Sequence, residues 1–149
     1  MKPLFALFFL VFAASPAAAQ DTAPDADVPL IVSAQDVTPD EFLWIKRPLV
    51  VFADTPADPR YVEQMGYITD RLDALAVRDV VVVKDTDPAA RSAWRQELHP
   101  RGFGLVLIGK DGEIYLRKPL PWQVREIVRS IDKLPARQRE MREGQAGRS

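Results

Sequence analysis

The chain has 149 residues, with 20 Lys and Arg against 21 Asp and Glu, and no cysteine. That length suits one domain with a core of its own, and the near-neutral balance excludes the basic footprint of a general nucleic-acid binder. The lack of thiols excludes disulfide exchange, thiol peroxidase chemistry and disulfide staples, so packing alone must hold the fold.

Met1-Lys2 supplies a short positive start, Leu4 to Ala14 is an unbroken apolar run, and Ala17-Ala18-Ala19 has the small-x-small pattern before polar Gln20-Asp21. This reads as a secretory signal peptide over residues 1–19, because the run is shorter than the ~20 residues a spanning helix needs. The mature chain is expected to begin at Gln20, to lack a membrane span and to be periplasmic or secreted. No cysteine follows Ala19, so a lipid-attachment signal is absent. Residues 20–35, opening with QDTAPDADVP, are expected to be a flexible linker.

Val37-Thr38-Pro39-Asp40-Glu41-Phe42 matches a capping box with a hydrophobic staple, which predicts a short helix from about Pro39 to Trp44 with Thr38 as its cap. Leu49 to Phe52 is a buried strand. Asp58 caps the next helix and Pro59 starts it. Tyr61, Met65, Ile68, Leu72 and Leu75 recur at spacings of four and three, which predicts one continuous helix. Val80 to Val83 is β-branched throughout and suits a strand covered on both faces. Asp87-Pro88 repeats the cap-plus-proline start, predicting a helix that carries Ala90, Trp94 and Leu98.

Leu105 to Ile108 is a further buried strand, Lys110-Asp111-Gly112 a tight turn, and Ile114 to Arg117 the antiparallel return. Pro121 opens a helix with Val124, Ile127, Val128 and Ile131 facing inward. After Pro135 a short charged helix leads into a disordered tail over 144–149. The order β-α-β-α-β-β-α predicts an α/β fold: a single thioredoxin-like domain over 36–143, a three-layer sandwich on a mixed four-stranded sheet with extra short helices at both ends.

KRPLVVFA at Lys46 to Ala53, Gln64, VRDVVVV at Val77 to Val83, GFGLVLIGKDGEI at Gly102 to Ile114 and IDKLPARQREMR at Ile131 to Arg142 together resemble domain of unknown function 4174. That thioredoxin-like group occurs in exported bacterial proteins and in vertebrate extracellular-matrix proteins carrying sushi repeats. The resemblance spans about residues 36 to 143 and marks Gln64, Gly109, Lys110, Asp111, Gly112, Pro135, Arg137 and Gln138 as motif positions. Tyr115 stands where the family usually has a basic residue, and Leu134 where it usually has Met. The resemblance implies no established activity. Aligned with thioredoxin, Phe103 takes the place of the cis-proline beside the redox thiols.

Asp54 and Asp58 follow the first long strand, and Asp85 and Asp87 the second. If those strands are parallel neighbours, all four carboxylates lie at the carboxyl edge, the usual ligand edge of open α/β sheets. Arg60, His99, Arg101 and Phe103 join them as candidate binding residues. A cation site would suit oxygen-rich ligands, but Asp58 and Asp87 precede prolines in cap positions, so capping is the better reading. Asp54 and Asp85 precede the caps and are expected to matter little for stability. His99 reads as a loop residue at a helix C-terminus. Arg125, Arg129 and Lys133, interspersed with acids, read as a solvated face. Trp94 and Trp122 are expected to be core anchors, and Arg137 or Gln138 to pack back on the domain.

No catalytic residue, metal or cofactor is expected. The preferred reading is an exported binding or scaffold module whose partner is a periplasmic or envelope protein. The alternatives are a metal-assisted periplasmic enzyme using the aspartates and His99, and a structural envelope protein docking through its basic C-terminal segment.

Overall fold

The branched apolar runs become the inner strands of a five-stranded sheet in the computed structural model, which describes residues 30–148. The expected signal peptide, residues 20–29 and Ser149 lie outside the described residues. The strands are β1 (Ile31–Ser33), β2 (Arg47–Phe52), β3 (Val80–Asp85), β4 (Gly104–Ile108) and β5 (Ile114–Lys118). Their order across the sheet is β1-β3-β2-β4-β5. β3 runs parallel to both β1 and β2, while β4 is antiparallel to β2 and to β5. The helices are α1 (Pro59–Thr69), α2 (Leu72–Ala76), α3 (Ala93–Leu98), α4 (Val124–Asp132) and α5 (Pro135–Ala146).

Every residue of β2 is buried, because each of its faces has a cover. On one face Leu49, Val51, Val80, Val82, Leu105 and Leu107 meet Ile68 of α1, Leu75 of α2, and Val124, Ile127 and Ile131 of α4. On the other, Val50, Phe52, Val81, Val83, Val106 and Ile108 meet Phe42 and, from α3, Trp94 and Leu98. Each such side chain gains about 1.5–3 kcal/mol on full burial, which lets two cores do without a disulfide. Trp94 is fully buried and donates its indole N–H to the Val37 carbonyl at 2.9 Å. Trp122 packs at the margin of the first core. Both tryptophans are anchors, as expected.

The sheet has one strand more than the sequence suggests. Residues 31–33, expected within the linker, form β1 along the outer side of β3, with the Leu30 carbonyl accepting from Val82 N at 2.7 Å. Three residues are too few to show a period, but they cover an edge that would otherwise present unpaired backbone groups.

Other departures are local. The predicted long helix is two, α1 and α2. Thr69 turns its hydroxyl back onto the carbonyls of Met65 and Gly66 (2.9 and 3.1 Å), a bond that bends helices. Arg71 then leaves helical geometry (φ −136°). Asp87-Pro88 opens only a 3-10 turn, Pro88–Ala90. Arg91 (φ 49°) breaks the chain there and Ser92, not Asp87, caps α3, accepting from Arg95 N at 3.2 Å. Pro39–Phe42 is likewise a 3-10 turn, and Thr38 makes no side-chain cap bond. The C-terminal segment stays helical to Ala146, well into the stretch expected to be disordered.

The β4–β5 hairpin carries a bulge. Ile108 faces Ile114, yet Leu107 faces Leu116, leaving Tyr115 as the extra residue on β5. One residue of slip moves every later side chain to the opposite face. Arg117 therefore sits opposite Val106, on the α3 side, and donates to the Leu98 carbonyl at 3.0 Å.

Candidate functional site

Since β2 and β3 are parallel neighbours with Phe52 opposite Asp85, the four aspartates do gather at one edge. Their roles divide sharply. Asp58 accepts from Arg60 N at 2.9 Å and caps α1, while the Arg60 guanidinium folds back on the same carboxylate (3.0 and 3.3 Å). That guanidinium holds Asp58 below the usual carboxylate range. Arg60 also lies 5.6 Å from the centre of the Phe103 ring. Asp87 caps its 3-10 turn through Ala89 N at 3.1 Å, and Asp54 is exposed.

Asp85 contradicts the expectation that it matters little. It is fully buried and accepts from Ser92 Oγ at 2.5 Å and from Arg95 Nε at 2.8 Å. Arg95 continues to the Ala53 carbonyl at 2.8 Å and lies 5.4 Å from the centre of the Phe52 ring. Asp85 thus ties the ends of β2 and β3 to α3. Three of the four carboxylates are occupied with backbone or arginine. Among the described residues, no group of three or more acidic or histidine side chains is disposed to hold a metal ion.

What stays open at this edge is positive. A cleft of about 350 Å³ is lined by Phe52, Phe103, Val106 and, at its rim, His99, Arg101, Arg117 and Lys118. A second, of about 380 Å³, shares His99 and is lined by Arg91 and Arg95 as well. Among the described residues, no carboxylate lines either cleft. His99 terminates α3 in the left-handed conformation (φ 47°), as a helix-end residue should. Phe103 is nearly buried, and no peptide bond among the described residues is cis. Of the expected edge, His99, Arg101 and Phe103 come together in one cleft, while Asp54, Asp58, Asp85 and Asp87 do not line it. The sequence reading missed Arg117, whose face depends on the bulge, and Arg91, whose exposure depends on the break before α3.

The motif positions have structural duties. Gln64 is fully buried in α1; its amide donates to the Trp122 carbonyl (3.0 Å) and accepts from Trp122 N (2.7 Å), clamping the approach to α4. Gly109 leaves room for the Tyr115 ring as it stands, because a Cβ there would lie 2.3 Å from it. Gly112 takes φ 82° in the turn. Asp111 accepts from Glu113 N at 3.0 Å and from the Tyr115 hydroxyl at 2.5 Å, which raises the phenol above its usual range.

Pro135 starts α5, Gln138 donates to the Asp132 carbonyl at 2.8 Å, and Arg137 pairs with Glu140 at 3.2 Å. Both partners pack back as expected. Glu140 also accepts from fully buried Arg47 at 2.7 Å and from Lys110 at 3.0 Å. Burial pushes the Glu140 carboxyl up, but the hydrogen bonds from Arg47 and Lys110 outweigh it and hold the group at about 2. Lys110 reaches Asp79 at 2.8 Å, and Arg78 grips Asp132 through two bonds of 2.8 Å. This network lies at the amino edge, where the motif positions Lys110 and Arg137 meet buried Arg47 through Glu140. Beside it is a cleft of about 400 Å³, between Trp44, the hairpin turn and α5.

Solved structures share the architecture. Prx1a of Plasmodium yoelii superposes with a TM-score of 0.54 at 18% identity, over 69% of this chain and 81% of that one. A reduced 2-Cys peroxiredoxin of Plasmodium vivax gives 0.54 at 16% identity, over 69% and 83%. At such identities the likeness is one of fold, the thioredoxin fold, here without cysteine. No curated protein matches the sequence. The model of the domain of unknown function DUF4174 matches residues 38–140, and the chain belongs to that family.

Proposed function

We propose that this protein is a ligand-binding module without thiol redox chemistry, working outside the cytoplasm after loss of residues 1–19, and that it takes an anionic ligand at the carboxyl edge. The observation that carries this reading is the pair of clefts meeting at His99, lined by arginine and lysine and by no carboxylate. A cleft lined by one sign of charge focuses its field and draws in the opposite charge. The apolar floor of Phe52, Phe103 and Val106 favours an anion that also carries an apolar group. Caps and the Arg95 pair already use Asp58, Asp85 and Asp87, which argues against metal-assisted catalysis there. The complete export pattern at Met1 to Gln20 supports the location, and a periplasmic or envelope protein presenting an acidic side chain is the partner this surface suits.

Phenyl phosphate is a suitable probe, followed through backbone amide shifts. Saturable shifts confined to residues 99–104 and 117–119, weakened in an Arg101→Gln/Arg117→Gln variant of unchanged melting temperature, are the expected result. Shifts elsewhere, or undiminished binding by the variant, would overturn the reading.

A further inference from the structure

The cleft between Trp44, the hairpin turn and α5 has two aromatic walls, and an unusual backbone aims each of them. Trp44 has φ 65°, a region costly for a bulky side chain. Its N–H donates to the Lys110 carbonyl at 2.7 Å, which clips the residue to the hairpin turn. The indole nevertheless stays 75% exposed. Tyr115 is the bulge residue of β5. Bulges re-aim side chains beside functional sites, and this one lays the ring over Gly109 and its hydroxyl on Asp111. Neither arrangement is needed to fill a core, since both side chains are exposed.

The polar lining is balanced: Arg47, Lys110 and Arg139 face Asp111, Glu140 and Glu143. Arg47, Lys110 and Glu140 satisfy one another, and Asp111 holds Tyr115. Arg139 and Glu143, one turn apart on α5, are exposed and form no ion pair among the described residues. The cleft therefore offers two flat apolar surfaces, one free donor fork and one free acceptor fork, with no net charge. At about 400 Å³ it lies in the range of small-molecule sites.

From this we infer that the cleft is a second binding site, for a neutral saccharide. A pyranose presents axial C–H faces to aromatic rings and a rim of vicinal hydroxyls that both donate and accept. The rim matches Arg139 and Glu143. A hydroxyl-free aromatic ligand would bury those two charges without partners, which is costly. A charged ligand would gain nothing from a balanced lining. The site is independent of the carboxyl edge, which lies at the other end of the sheet.

The test is isothermal titration calorimetry with maltotriose and with chitotriose, a readout that does not depend on Trp44 as a reporter. A saturable change with at least one of them, lost in Trp44→Gly and weakened at least tenfold in an Arg139→Gln/Glu143→Gln variant, is expected. The carboxyl-edge variant should bind as wild type does. Trp44→Gly should melt no lower than wild type, because glycine relieves the positive φ and the indole is exposed, so its loss of binding is not a folding defect. No response to either sugar at tens of millimolar would overturn the proposal, as would a response retained in Trp44→Gly or a response to anisole, an aromatic without a hydroxyl, in place of the sugars.

Discussion

At the amino end of β2, Arg47, Arg78, Lys110 and Arg137 each meet a carboxylate. At the carboxyl end, the clefts beside His99 hold Arg91, Arg101 and Arg117 with no carboxylate in their lining. The two ends differ in where their acids come from. α5 returns over the amino end and brings Glu140 from far along the chain, so cations find partners across elements. At the carboxyl end Asp58 and Asp87 are spent on the backbone two residues ahead. Local capping consumes the acids and strands the bases. One edge of the sheet can thus become positive in a chain of nearly zero net charge.

Asp85 is the exception at the open end, and it should give the largest effect. Asp85→Ala leaves Arg95 in a mostly buried position without its carboxylate and Ser92 without its acceptor, a loss of about 3–5 kcal/mol. Urea unfolding measures it. A loss no larger than that of an exposed residue would mean that the carboxyl edge is not held together by this pair, and would erase the contrast within that edge.

The closed network should reveal itself in acid. Glu140 titrates at about 2 in the folded protein against 4.5 ordinarily. A depressed folded value means that its contribution is complete above pH 4.5 and disappears as pH falls from there toward 2. The contribution is about 3 kcal/mol. Glu140→Gln should therefore be less stable than wild type at neutral pH and show a flatter acid limb over that window. Parallel acid limbs in the two proteins would show that α5 is held by something other than this carboxylate.

The smallest effects sharpen the comparison at the capping level. Asp87→Ala removes the acceptor of a single 3-10 turn and should cost about 0.5–1 kcal/mol. Exposed Asp54, changed to alanine, should stay within about 0.5 kcal/mol of wild type. If the order of these two were reversed in denaturant midpoints, Asp54 would have a structural duty that its exposure conceals.

Much of this organisation was readable one residue at a time. Asp58-Pro59 signals a cap because its consequence lies two residues away, and Val80 to Val83 signals a covered strand because four branched apolar residues have few other uses. Asp85 was misread for the converse reason. Its partners Ser92 and Arg95 reach it only once α3 begins at Ser92 rather than Asp87, and no local pattern signals that restart. Trp44 was expected to end the short helix from Pro39, since a positive φ in tryptophan leaves no compositional mark.

The sequence by itself determined the absence of cysteine, the inner strands, the helix starts at Pro59 and Pro135, and membership in a thioredoxin-like family. These follow from composition, branching and capping, which act over a few residues. Tertiary structure alone decided which charges stay open. A one-residue bulge turned Arg117 toward His99 and Tyr115 toward Gly109. The return of α5 neutralised Arg47, and pairing with β3 turned residues 31–33 into an edge strand. Each outcome depends on register or on contacts between distant segments, where a single residue of slip or a helix restart changes which side chains meet.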